Sequence, residues 1–210
     1  MRSNPNRIFL LSPASVAGRR AALVLRENSG LEIAHRLRGQ GVQLGELFSF
    51  ISSLYFRGKL AYASAFSGAP RGIPGVFIIT ASGGLMAPDS VVTLESLRQI
   101  TASELDLLDP RYRVPLDRDA RLLVDSFGTN CEVVLLGSIA TAKYVDPLLS
   151  VFGERLVCPR DFVGRGDMSR GGLLLRCVAS KQELTYISVC SAVRHGCRPP
   201  KLKPLPLNAR

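Results

Sequence analysis

The sequence predicts an α/β domain: a three-layer sandwich around a mostly parallel mixed sheet, with a C-terminal β-hairpin. Three observations carry this. Residues 7–11, 76–80 and 131–136 are short, mostly apolar runs of strand length, apolar on both faces over most of their length, as strands covered by helices on both sides are. Stretches of helix length separate them, the alternation that builds parallel β-α-β units. Small hydroxyl residues and glycines follow each run, at the strand ends where open α/β sheets bind ligands.

The elements read in order as follows. Residues 7–11 form a buried strand that Ser12-Pro13 ends. Residues 16–27 and 31–38 have helical character, the second with Leu31, Ala34 and Leu37 on one face. Residues 44–66 are too long and apolar for a strand and hold one or two helices. A Pro/Gly loop over 68–75 leads to the strand at 76–80. Helix pieces follow at 93–100 and 103–108, the latter starting on a Ser cap. Residues 109–115, bracketed by prolines, read as loop, and 116–127 as an amphipathic helix ended by Gly128. After the strand at 131–136 comes a helix over 140–152, with Pro147 near its start or at a kink. A short strand at 156–158 precedes a glycine-rich loop. Residues 172–178 and 184–189 then read as the two arms of the closing hairpin. The division expected is one domain over 1–197 and a basic, Pro-rich, solvated tail over 198–210.

Charge is distributed unevenly. The net charge of +10 resolves into +7 over residues 1–71, −5 over 72–154 and +8 over 155–210. A β/α fold brings both basic ends together, and clustered positive charge attracts polyanions. Plain solubility explains the same surplus. The apolar runs are too short to span a bilayer, and the N-terminal Ile8-Phe9-Leu10-Leu11, cut off by Pro13, makes no signal peptide. Five cysteines without a C-x-x-C pair fit reduced thiols in the cytoplasm.

The candidate site follows from the strand ends. Ser12, then Ser82 and Gly83, then Gly137 and Ser138 stand after three successive strands. Such turns leave room for a ligand and point backbone N–H groups at anions, although helix caps favour the same residues. Downstream, Gly164-Arg165-Gly166-Asp167-Met168-Ser169-Arg170-Gly171-Gly172 places Gly164, Arg165, Ser169 and Arg170 where a phosphate could be clamped. Asp167, flanked by arginines, is the candidate catalytic acid, able to orient a water or a ribose hydroxyl; a loop salt bridge is its alternative. Tyr55, Arg57 and Lys59 mix charge with an aromatic ring, which suits phosphate contact with base stacking, or a solvated basic helix face. There is no Walker loop, no dinucleotide-binding glycine motif after the first strand and no nucleophile elbow. Cys190, His195 and Cys197 fit no common zinc spacing. No metal and no cofactor is therefore expected.

Several segments resemble the peroxide-stress YaaA family. Leu10-Leu11-Ser12-Pro13-Ala14 resembles its N-terminal strand and turn, and Phe56-Arg57-Gly58 its aromatic-x-Gly segment. Ser82-Gly83-Gly84-Leu85-Met86-Ala87-Pro88 is similar to a strand-end segment of that family, and Arg165-Gly166-Asp167-Met168-Ser169-Arg170 to its Arg-Gly-x-Met-Ser-Arg stretch. Ser15 stands where the family has lysine, and the family's Pro-Tyr-Arg after Asp89 is replaced by Val91-Val92-Thr93. The resemblance implies a fold distantly like that of uracil-DNA glycosylases, and a role in DNA binding and oxidative-stress protection. The function expected is thus nucleic-acid (DNA) binding of the genome-protection kind. The alternative is an enzyme acting on a nucleotide, nucleoside or DNA base in a strand-end cleft. Oligomeric state is not legible.

Overall fold

The computed structural model describes residues 6–52, 54–101, 105–128 and 130–202. The chain runs β1 (Asn6–Leu11), α1 (Arg19–Leu25), α2 (Glu32–Arg38), β2 (Val42–Gln43), α3 (Leu44–Ser52) and α4 (Leu54–Phe66). It continues through β3 (Val76–Ile79), β4 (Leu85–Met86), β5 (Val91–Val92), α5 (Leu94–Ile100), α6 (Pro110–Ser126) and β6 (Cys131–Leu136). α7 (Ala142–Phe152), β7 (Leu156–Pro159), α8 (Asp167–Ser180) and β8 (Tyr186–Ser188) complete it.

Six strands form one sheet in the order β4-β3-β1-β6-β7-β8, and β2 pairs with β5 apart from it. The four central strands are parallel, and β4 and β8 are antiparallel edges. Alternation along β1 and β6 explains the three layers. Phe9, Leu11, Val134 and Leu136 point into a core with helices α1 to α5 and α8. Ile8, Leu10, Val133 and Leu135 point the other way, into a core with α6 and α7. β1 lies between β3 and β6, so its residues are wholly buried from Ile8 to Leu11. Among the described residues no helix is long and apolar enough to cross a membrane.

The antiparallel pair at the C-terminal end of the chain is present as β7 with β8, but its first arm is not residues 172–178. Those residues are helix, because α8 starts at Asp167 and runs through them. Buried Arg170, Gly171, Leu174 and Cys177 follow the helical repeat, whereas the aliphatic run Leu173-Leu174-Leu175 imitates a strand. The glycine-rich loop accordingly ends at Gly166. Residues 110–115 are helix as well. Pro110 takes the first helical position, where it costs no bond, and Asp109 caps the end by accepting from the Arg111 N–H at 2.9 Å. Pro115 loses a bond inside α6, but it lies between Tyr112 and Leu116, both fully buried, whose packing offsets that loss. Of the helix piece expected over 103–108, residues 103–104 lie outside the described residues, and 105–108 hold a bend at Leu105 and a turn at Leu107 and Leu108 but no helix.

Candidate functional site

The parallel strands deliver Ser12, Thr80 and Gly137 to one edge of the sheet. Ser12 and Gly137 are neighbours: a Cβ on Gly137 would lie 3.1 Å from that of Ser12. The Ser12 hydroxyl faces the Leu136 carbonyl at 3.4 Å. From α4, the Lys59 ammonium reaches under this edge, donating to the Ser12 carbonyl and, at 2.7 Å, to its Oγ. It lies 4.5 Å from the centre of the Tyr55 ring and 5.1 Å from that of Phe56. Lys59 is 1% exposed and has no ion-pair partner among the described residues. Burial drives its pKa down to about 7; the Asp167 charge works against this fall and Arg170 adds to it.

Arg170 is the second buried cation, 7% exposed. Its Nε and Nη2 donate to the Phe162 carbonyl at 3.2 and 2.8 Å, and its guanidinium lies over the Phe162 ring. Its carboxylate partner is Asp167, 3.5 Å away, with a side chain 68% exposed. Near the Arg170 guanidinium, the Tyr55 hydroxyl is buried with no acceptor for its proton among the described residues. Burial raises its pKa to about 12, with Arg170 pulling the other way.

Two glycines bring the cations together. A Cβ on Gly58 would lie 2.8 Å from the Gly171 carbonyl oxygen, and one on Gly171 would lie 2.9 Å from that of Leu54. α4 and α8 therefore cross backbone against backbone, so that Lys59 and Arg170, each next to its glycine in sequence, approach the same space.

A cleft of about 340 Å³ adjoins this cluster. Its floor is Pro13 and Ala14 after β1 and Thr80 and Ala81 after β3; Phe48 and Ile100 give an apolar wall, and Lys143 a charge. Cluster and cleft share chain neighbours. Ser12 precedes Pro13, and Lys143 precedes Tyr144, whose pKa burial raises first and the nearby charges of Tyr55 and Asp167 raise further.

Of the residues singled out in the sequence, Ser12, Lys59, Gly137, Asp167 and Arg170 meet here. Arg57 does not. It stands two residues from both Tyr55 and Lys59, so the helix turns it outward, to an exposed depression shared with Arg36, Glu46 and Phe50. Ser82 and Gly83 build the β3–β4 turn instead. The Ser82 hydroxyl donates to the Gln99 carbonyl at 2.6 Å, and the Gly83 N–H donates to Thr80 Oγ1 at 2.9 Å. Ser138 Oγ accepts from the Ala140 N–H at 3.3 Å. Gly164 has φ +68° and lies against the Cys197 carbonyl, so its freedom serves a close backbone contact with residues 196–197. Arg165 donates to the Asp161 carbonyl and to Ser169 Oγ at 3.1 and 3.0 Å. Thr80, Phe48 and Lys143 were not read from the sequence as site residues. Lys143 was findable: it is the second residue of a helix that follows the Gly137–Thr141 turn.

The two loop arginines should separate by mutation. Arg170→Ala removes both guanidinium bonds to the buried Phe162 carbonyl, leaving it the Arg165 N–H at 3.2 Å, and should cost about 1–3 kcal/mol, read by urea unfolding. Arg165→Ala, at a more exposed position, should stay within about 0.5 kcal/mol of the parent.

No protein-family model matches the chain, and neither a curated protein nor a solved structure matches it.

Proposed function

We propose that the chain binds nucleic acid and takes one nucleotide unit into the cleft after β1 and β3. The observation that carries this is the composition of the cleft. Apolar Phe48 and Ile100 face the hydroxyl-bearing Ser15, Thr80 and Thr101, with Lys143 as the cation, in a volume of about 340 Å³. That volume is at the lower end of the ~300–1,000 Å³ usual for small-molecule sites, a fit for a base with its sugar. Its place at the carboxyl ends of parallel strands is where such sheets take ligands. The basic surplus in residues 1–71 and 155–210 and the resemblance to the YaaA family support a polyanionic partner.

Fluorescence anisotropy with a labelled single-stranded oligonucleotide tests this. Binding should weaken steeply with salt, and Lys143→Ala should weaken it about tenfold, one charge-assisted contact. Absence of binding to single- and double-stranded DNA at low salt overturns the reading. A second reading, an enzyme acting on a free nucleotide, is favoured by the buried Ser12–Lys59 contact. It predicts thermal stabilisation by a mononucleotide with little dependence on salt.

A further inference from the structure

We propose that Lys59, Arg170 and the Tyr55 hydroxyl form a binding site for a tetrahedral oxyanion, the phosphate of the ligand placed in the adjoining cleft. The last clause rests on the reading above; the anion site itself does not.

Four observations converge on it. First, two cations are buried within one cluster, and neither has a buried carboxylate to neutralise it. Buried charges are ordinarily paired, so this is an unbalanced positive site. Second, the carboxylate that Arg170 touches is Asp167, two-thirds exposed and at 3.5 Å, a contact that an incoming anion can displace into solvent. Third, the buried Tyr55 hydroxyl has only the Arg170 guanidinium, itself a donor, beside it, so its own proton has no acceptor. Fourth, donors remain unspent. Lys59 uses two of its three on Ser12, and Arg170 uses three of its five on Phe162 and Asp167. The first turn of α8 adds N–H groups that no side chain caps.

The Gly58–Gly171 crossing explains why the site is built from α4 and α8. Packed at ordinary distance, these helices would hold their cations further apart. The groups facing Lys59 are Tyr55 and Phe56 on its own helix, Ser12 at the end of β1, and Asp167 and Arg170 from α8. No histidine is among them. An anion here favours the charged amine, so binding takes up a proton when the amine starts neutral.

Sulfate is the probe, because its charge is constant over the range used; inorganic phosphate is the companion. Titration calorimetry on the full chain should show sulfate binding about tenfold weaker at pH 8 than at pH 6, following the Lys59 amine, which loses its proton near 7. Tyr55→Phe should fold and bind sulfate at least about fivefold more weakly. Lys59→Met should bind weakly, with a flat pH profile. Sulfate acting no better than chloride at equal ionic strength overturns the proposal. So does a Tyr55→Phe protein that binds like the parent, or a Lys59→Met protein that keeps the pH slope. Sulfate binding without any DNA or nucleotide binding upholds the anion site and removes the nucleic-acid reading. A nucleoside that binds as tightly as its monophosphate upholds the cleft and overturns the assignment of the anion site to that ligand's phosphate.

Discussion

Lys59→Met should be more stable than the parent protein at pH 6 and less stable at pH 10. An ammonium that ordinarily keeps its proton to 10.5 gives it up at about 7 inside this fold. Below about pH 7 the amine is charged in both the folded and unfolded chain, and the full cost of burying it applies. That cost is of the order of 4–5 kcal/mol, from about 1.4 kcal/mol for each pH unit between the two values. Between 7 and 10.5 the unfolded chain holds a proton that the folded one has lost, so stability rises with pH. Methionine escapes the cost but leaves the Ser12 carbonyl without its lysine donor, a loss of about 1–3 kcal/mol at every pH. Desolvation wins at low pH and the orphaned carbonyl wins at high pH, so the curves should cross between about pH 8 and 10. Urea unfolding of both proteins at pH 6, 8 and 10 measures this. Parallel curves would show that Lys59 titrates as an exposed lysine does.

The second large effect comes from adjacent glycines in α8. Gly171→Ala should destabilise, and Gly172→Ala should stabilise. Helix propensity favours alanine at both positions by about 1 kcal/mol. At Gly172 nothing opposes it, since the nearest atom to a new methyl is Leu202 Cδ1 at 3.6 Å. At Gly171 the methyl would lie 2.9 Å from both the Leu54 carbonyl oxygen and the Tyr55 Cα, backbone atoms that cannot rotate away. Overpacking of this kind costs about 1–3 kcal/mol, and separating α4 from α8 adds the loss of their buried contacts. A net loss of about 2–4 kcal/mol is expected, with the melting midpoint falling about 2–4 °C for each kcal/mol. Gly171→Ala should also weaken sulfate binding, because Lys59 and Arg170 move apart. If both alanines stabilise, the helices do not cross at this point.

The fold was legible where one signal dominated. β1, β3 and β6 are dominated by apolar residues and followed by turn residues, and they lie close to where the sequence puts them. α8 was misread because Gly171-Gly172 resembles a loop and Leu173-Leu174-Leu175 resembles a strand. Only the packing of α4 shows that Gly171 is small for the sake of contact. The site was legible in the same uneven way. Ser12 and Gly137 follow strands, a position that sequence reports directly. Burial is not reported directly, and so Lys59 and Arg57, two residues apart, looked alike although one is sealed in the core and the other faces water. The period of a helix separates them once α4 is known to pack by its Tyr55–Lys59 face. Lys143 was passed over because helix starts are common and only the neighbouring Thr80 and Phe48 mark this one.

The strand order also sets a timetable for synthesis. β1 leaves the ribosome well before its partner on one side, which begins at Cys131, paired with Asn6 across the sheet. At about 5–20 residues per second, that partner follows β1 by about 6–25 seconds. Until then β1 has β3 alone beside it, and the Leu136 carbonyl that meets Ser12 does not yet exist. α8 emerges later still, so Lys59 stays hydrated and charged until then and sheds its water only when α8 packs on α4. A nascent chain of this protein is thus an open half-sheet until β6 arrives, and the assembly that expels water from the lysine waits for α8.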